Sequence, residues 1–269
     1  MALSAAQRLH FDVYGYVLLQ DALQARELGA LRAALRRLAG EPDPAARGVY
    51  HWERGEHYRH FGHLVEYDPA FLDYAAHPAL LSAVREVVGG SVRVEETEAI
   101  VNRRDPAADV EVLRQRGCTP LGFHTGAEHG WGTFEQDGRF HCLFVKTLAY
   151  LTDVGPEDGG TAVIPGSHRL SFGQAEIVAA AQADPPALIR QIEARAGAVL
   201  LFAESLIHST TAILGDRERL IVVTGYVPTM LQVWPGNELS PGFLAGLPAG
   251  LRTVLQPDRA WPWERAPAP

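Results

Sequence analysis

Two histidines from distant parts of the chain stand out: His124 in "GFHTGAEHGW" (122–131) and His208 in "LIHST". Each falls in a short run with β character. Neutral imidazole suits iron(II), and strands hold such side chains rigidly. Two strand-borne histidines facing one barrel interior are the usual start of a mononuclear iron(II) site. In the facial triad a carboxylate joins them and leaves three positions open for cosubstrate and oxygen. That carboxylate usually stands two residues after the first histidine, and here the residue is Gly126. The chain has 11 histidines, so the pair is not diagnostic alone.

A second histidine cluster lies in "YHWERGEHYRHFGH" (50–63), with His51, His57, His60 and His63. It has no cysteine and no structural-zinc spacing. It reads as an aromatic lid over a substrate or as a surface loop. In "PGSHR", Pro165 and Gly166 are turn residues, and Ser167 and His168 can hydrogen-bond the turn backbone.

The elements that must position these residues fall into two parts. Ser4 can cap a helix over "AAQRLHFDVY", and "GYVLL" reads as a strand. In "DALQARELGALRAALRRLAG", Leu23, Leu28, Leu31, Leu35 and Leu38 recur at three- and four-residue spacing, and Gly40 stops the helix. Residues 41–63 read as a loop, and "PALLSAVREVVG" as a further helix. After Gly90 come short β-rich runs: "SVRVEETEAIVN", "LGFHT", "CLFVKTLAYLTDV", "TAVIP", "AVLLFAE", "LIHSTTAIL" and "RLIVVTGYV". A helical insertion over roughly 173–195 interrupts them. The expected fold is mainly β with flanking helices, a jelly roll or double-stranded β-helix. One domain spans 1–269, with a helical layer (1–90), a jelly-roll core (91–228) and a C-terminal extension (229–269).

The charge balance of 24 basic against 32 acidic residues excludes the basic footprint of a nucleic-acid binder. Only Cys118 and Cys142 are present, so no disulfide framework is expected. No stretch reaches the length of a membrane span and the N-terminus has no long apolar run, so a cytoplasmic protein is expected.

"YLTDVGPEDGGTAVIPGSHRL" (150–170) followed by "GAVLLFAESLIHSTTAILGDRERLIVVTGYVP" (197–228) resembles the phytanoyl-CoA dioxygenase family of iron(II)/2-oxoglutarate oxygenases. The resemblance covers about 90–228 and extends to the strand and helix at 15–39. It implies His124 and His208 as iron ligands, and Arg219 as partner of the distal carboxylate of 2-oxoglutarate. A guanidinium suits that carboxylate because its planar fork binds both oxygens. Thr210 shares the strand face of His208 and could donate a hydroxyl to the same carboxylate. Arg103 in "IVNRR" matches, more loosely, a basic residue near the cosubstrate. The implied cofactors are Fe(II), 2-oxoglutarate and O2.

Gly126 leaves three readings open. The "HTG" motif resembles the iron/2-oxoglutarate halogenases, which carry Gly or Ala where hydroxylases carry Asp. Chloride would then take the vacated position and be transferred to an unactivated carbon. Alternatively the enzyme hydroxylates, with water or Glu128 in the gap. Glu128 lies about 13 Å along an extended strand from His124. Glu204, four residues before His208, meets the same objection, and both suit outer contacts or substrate better. The third reading is a non-catalytic binding protein. Chlorination is the leading expectation.

Glu128, His129, Trp131 and Phe134 follow the metal motif, and Arg139 and His141 open the next strand. With Glu204 they are the expected substrate contacts. They favour a polar, ring-bearing small molecule such as a nucleoside, amino acid or alkaloid. No patch for an acyl-carrier partner is evident, so a free substrate is expected.

Overall fold

The computed structural model describes residues 2–116, 120–126, 132–170 and 173–256. Ser4 opens α1 (Ala5–Tyr14) with a capping box to Gln7, and Gly15 ends it at φ 82°. β1 (Tyr16–Leu19) and α2 (Ala25–Ala39) follow, and α2 buries Leu31, Leu35 and Leu38 along one stripe.

The stretch read as a loop is partly a hairpin, β2 (Tyr50–Arg54) and β3 (Tyr58–Gly62). Cross-strand ring pairs hold it: Trp52 lies 4.9 Å from Tyr58 and 5.5 Å from His60. The histidine-rich cluster is therefore built into the sheet. His60 bonds Glu98 and His63 bonds Asn237.

Helices α3 (Pro69–Ala75) and α4 (Pro78–Val88) lead into the long β4 (Val92–Asn102) and then α5 (Val110–Arg116). β5 (Thr133–Gln136) and β6 (Arg139–Cys142) form a hairpin. Its turn residues Asp137 and Gly138 have φ 53° and 73°, the left-handed pair that a two-residue hairpin loop requires. Next come β7 (Val145–Tyr150), β8 (Thr161–Val163), α6 (Gln174–Ala183), α7 (Pro185–Leu188) and β9 (Arg190–Gln191). The core closes with β10 (Val199–Ala203), β11 (His208–Thr210) and β12 (Arg219–Pro228), and α8 (Pro241–Gly246) and α9 (Ala249–Leu255) follow.

The major sheet has seven strands in the order β1-β10-β7-β12-β4-β3-β2, and the minor sheet is β11-β8-β9. The segment expected as a strand at "LGFHT" contributes only isolated bridges, Pro120 with Thr211 and His124 with His208. These extend the minor sheet beyond β11. Three of the seven major strands come from the first 62 residues, so the N-terminal part is more than a helical layer.

The two faces of the major sheet differ by strand parity. Ala99, Val101, Ala149, Val199, Leu220 and Val222 pack against α2, α3 and α4. The opposite face sets Leu148, Tyr150, Leu200, Phe202, Ile221 and Val223 against Val163, Ile192, Ala194 and Leu206. Two antiparallel sheets packed in this way, with helices on one outer face, form the double-stranded β-helix.

The "PGSHR" turn ties the minor sheet to α1. Ser167 Oγ accepts from Ile207 N at 2.9 Å, and His168 Nε2 bonds the Asp12 carbonyl at 3.2 Å. His168 also packs against Gly15, where any Cβ would lie 2.7 Å from the imidazole Cγ. Burial pushes the His168 pKa from 6.5 down to about 4. The folded state therefore resists a proton that the unfolded chain accepts. Stability is full above about pH 6.5 and falls as pH drops towards 4, by on the order of 3 kcal/mol. His168→Gln should flatten this part of the pH–stability curve, as measured by urea unfolding between pH 4 and 7.

Candidate active site

A short backbone ladder brings the two predicted ligands together. His124 N donates to His208 O at 2.9 Å, and His208 N returns a bond to His124 O at 3.1 Å. The imidazole centroids lie 4.3 Å apart. His208 Nδ1 contacts the Leu206 carbonyl at 2.8 Å. A carbonyl only accepts, so Nδ1 carries the proton and Nε2 keeps its lone pair. His124 Nδ1 makes the equivalent, longer approach to Gly122 O at 3.4 Å. Burial pushes the His208 pKa down to about 4, which keeps the ring neutral at pH 7. The Phe202 ring edge, 4.9 Å away, closes the far side.

Two residues on, Gly126 N donates to Glu204 O at 2.9 Å, in the turn that follows β10. A Cβ at Gly126 would lie 2.9 Å from Glu204 Cβ and 3.1 Å from its Cδ. The space that an aspartate would use is thus taken by Glu204, which is 2% exposed. Glu204 Oε1 accepts no hydrogen bond from any described residue. It stands 3.9 Å from His208 Nε2 and 3.6 Å from Lys146 Nζ. The distance objection to Glu204 fails because the chain turns back on itself between β10 and β11. Among the described residues no three His, Cys, Asp or Glu side chains are already closed into a metal cage. The two histidines and Glu204 are gathered, with the acid side chain slightly withdrawn.

Three carboxyl groups crowd this end of the interior: Glu204 after β10, and Glu96 and Glu98 on β4. Lys146 of β7 offsets them, with Nζ 2.7 Å from Glu96 Oε1. Gly225 of β12 lies between Lys146 and Glu96 in the sheet register. A Cβ there would stand 2.8 Å from Glu96 Cγ and 2.8 Å from Phe144 Cε2, so a bare backbone keeps the crossing open. Burial pushes Glu96 up to about 7. Burial also acts to raise Glu98, but the His60 hydrogen bond and Lys146 outweigh it and bring Glu98 to about 2. Lys146 is raised, because Glu204, Glu96 and Glu98 outweigh its own burial.

At the other end, Arg219 opens β12 and is 3% exposed. Its Nε donates to Asn102 Oδ1 at 3.1 Å and its Nη2 to Thr210 Oγ1 at 2.7 Å. Among the described residues no carboxylate pairs with it. Burial lowers its pKa to about 10, so it stays charged at pH 7. Tyr58 and Tyr150 lie near, with phenols raised by burial, Tyr150 to about 12. A buried, hydrogen-bonded guanidinium without a counter-ion is a seat for a carboxylate ligand.

Arg103 is not part of this seat. Its Nη2 pairs with Glu218 at 2.8 Å and its side chain is 62% exposed. Strand alternation explains the correction: Asn102 points inward, and Arg103 lies just past the strand end. Phe134, Arg139 and His141 also fall away from the histidine pair. His141 stacks on Phe134 at 4.9 Å, both cap the end of α4 at Gly89, and Arg139 is exposed. Glu128, His129 and Trp131 lie outside the described residues, as does Cys118. Sequence reasoning missed Lys146, Glu96, Glu98 and Asn102, and read His60 only as part of a lid or surface loop. The available signal was a lysine inside the apolar run "CLFVKTLAYL" and acidic residues at alternate positions of "VEETEAIVN".

A double-stranded β-helix with two inward histidines and a buried lone arginine defines an oxygenase-type architecture. The chain belongs to the phytanoyl-CoA dioxygenase family, whose description matches residues 11–221. It is a non-haem iron/2-oxoglutarate-dependent enzyme. Among solved structures it is similar to HygX from Streptomyces hygroscopicus with nickel and 2-oxoglutarate bound. That match has 25% identity over 87% of this chain and 90% of the other, with a TM-score of 0.69. HygX with nickel, 2-oxoglutarate and hygromycin B bound matches at 25% identity over 94% and 96%, with a TM-score of 0.66. The epimerase SnoN, in complex with Fe3+, α-ketoglutarate and nogalamycin RO, shares the fold at 20% identity over 91% and 90%, with a TM-score of 0.65. No curated protein sequence matches the chain. Among the described residues no helix is long and apolar enough to cross a membrane.

The donor set fits the iron of this family: two imidazoles whose Nδ1 atoms face carbonyls, which leaves Nε2 for a metal, and one buried carboxylate oxygen that accepts no hydrogen bond among the described residues. Lys146→Met should leave the acidic cluster uncompensated and cost about 3–5 kcal/mol in urea unfolding of the metal-free protein. Gly225→Ala should cost about 1–3 kcal/mol through overpacking, with Lys146 still present.

Proposed function

We propose that this protein couples decarboxylation of 2-oxoglutarate to oxidation of a C–H bond in a free small molecule of specialised metabolism, as a hydroxylase or related oxygenase. The observation that carries this choice is Glu204 in the space opposite Gly126. Chlorination, expected from "HTG", needs a halide in that space. Glu204 fills it, and Glu96 and Glu98 make the surrounding end of the interior acidic. Both features disfavour an anion there.

His124 and His208 hold the iron through their Nε2 atoms. Arg219 receives the distal carboxylate of 2-oxoglutarate. Asn102 and Thr210 fix the guanidinium fork, and the Thr210 hydroxyl, accepting from Arg219, keeps its own proton to donate. Leu148, Leu200, Phe202, Ile221 and Val223 exclude water behind the histidines. Iron bound with 2-oxoglutarate and oxygen supplies an oxidant able to attack an unactivated C–H bond. Trp52, Tyr58 and His60 pack together on the β2–β3 hairpin, with His60 bonded to Glu98 of β4, and offer aromatic and polar contacts to a ring-bearing substrate. The binding of a small molecule, hygromycin B, by HygX supports a free substrate of that general kind.

Anaerobic titration of the iron-loaded protein with 2-oxoglutarate tests this function. The absorption spectrum should respond to 2-oxoglutarate and stay indifferent to chloride. A chloride-dependent spectrum, or chlorinated product from a metabolite screen, overturns the choice. Arg219→Ala should weaken 2-oxoglutarate binding by about 30-fold or more, a loss of at least about 2 kcal/mol. Arg219→Lys should fall between, because an ammonium lacks the planar fork.

A further inference from the structure

We infer that Glu204, in the turn that follows β10, is the carboxylate ligand of the metal, in place of a carboxylate at position 126. The inference rests on the functional reading above and deepens it.

Close approach carries the argument. His124 and His208 form a bridge, and the turn after β10 then brings Glu204 against Gly126, whose N donates to Glu204 O at 2.9 Å. A Cβ at 126 would meet both Glu204 Cβ and its carboxylate carbon, at 2.9 and 3.1 Å. A carboxylate on either residue therefore serves the same volume beside the histidines. Most chains of this architecture would place a short acid at 126. Here position 126 has no side chain, and the longer glutamate reaches from the other side. The two residues exclude each other, since a Cβ at 126 would stand 2.9 Å from Glu204 Cβ.

The state of the side chain points the same way. Glu204 Oε1 is buried and accepts no hydrogen bond from any described residue, which is costly without a further partner. The nearest groups are Lys146 Nζ at 3.6 Å and His208 Nε2 at 3.9 Å, and the latter atom is itself a free donor to metal. Lys146 Nζ faces that same oxygen beyond hydrogen-bond distance and is engaged by Glu96 at 2.7 Å, so it lends the glutamate a positive neighbour without satisfying Oε1. Glu98, the other acid near His124, is already engaged by His60 at 3.1 Å.

The test uses metal binding rather than turnover. Full-length protein is titrated anaerobically with Fe(II), and separately with Co(II), whose visible spectrum reports the number and type of ligands. Apo-protein thermal melts check folding. Glu204→Gln and Glu204→Ala should weaken metal binding by more than the roughly 10–100-fold lost with an outer-shell partner. Glu98→Gln and Glu128→Gln should stay within a few-fold of the parent. The double variant G126D/E204A should recover affinity and the Co(II) spectrum, because it returns a carboxylate to the same volume from position 126. A purely structural glutamate would not be rescued in this way. Retained affinity in folded Glu204→Gln and Glu204→Ala overturns the assignment, as does loss confined to Glu98→Gln or Glu128→Gln, or a double variant no better than Glu204→Ala. If the parent chain binds neither Fe(II) nor 2-oxoglutarate, the functional reading fails and the ligand assignment falls with it. Parent binding with unaffected Glu204 variants fails the ligand assignment alone.

Discussion

The site depends on one register. Reciprocal backbone hydrogen bonds join His124 to His208, and the same run joins Gly126 to Glu204. Side chains alternate along a strand, so a slip of one residue would turn His124 out of the interior. The register is held from several sides. Leu121 N donates to Thr210 O at 2.8 Å, and Ser167 fixes Ile207 immediately before His208. The "PGSHR" turn is thus part of the site's support without touching it. It joins β11 to α1, which packs against the outer face of the major sheet.

The interior is divided electrostatically. Glu96, Glu98 and Glu204 gather near the histidines, where a dication is favoured. Arg219 sits alone among Asn102, Thr210, Tyr58 and Tyr150, where an anion is favoured. A cosubstrate with a carboxylate at each end, chelating a metal at one of them, spans such a field in one orientation. Keeping the two zones apart has structural costs. Lys146 must be buried to offset the acids, and Gly225 must stay bare so that Lys146 can reach Glu96 across the intervening strand. Replacing the cluster with apolar residues would suit stability and lose the field.

Much of this was legible in the sequence. The capped α1, the leucine stripe of α2 and the β-rich second half follow from local signals, and the structure has them. His124, His208, Arg219 and Thr210 stand out by spacing and resemblance, and the structure brings them into one interior. What stayed hidden depended on pairing between strands. The 50–62 stretch looks like a loop because its aromatic residues alternate with charges, and only sheet pairing makes it a hairpin. Arg103 and Asn102 are adjacent, and the strand end, which no local signal marks, decides which one faces Arg219. His141 and Phe134 follow the metal motif in sequence, yet the Asp137–Gly138 turn sends them back to each other and to α4.

Glu204 shows the same limit most sharply. Measured along an extended chain, it is too far from His208 to share a ligand. That measure holds only if the chain runs straight between them, and here it reverses at the end of β10. A glycine at the acidic position is equally compatible with an open coordination site and with an acid supplied from a neighbouring turn. The two cases differ in the residue that lies against the glycine. A small or apolar partner leaves room for an exogenous anion, whereas an acidic partner of sufficient length occupies that room and brings its own charge. The requirement attaches to the volume beside the histidines. An apparently vacant motif position therefore has chemical meaning only when the residue packed against it is known.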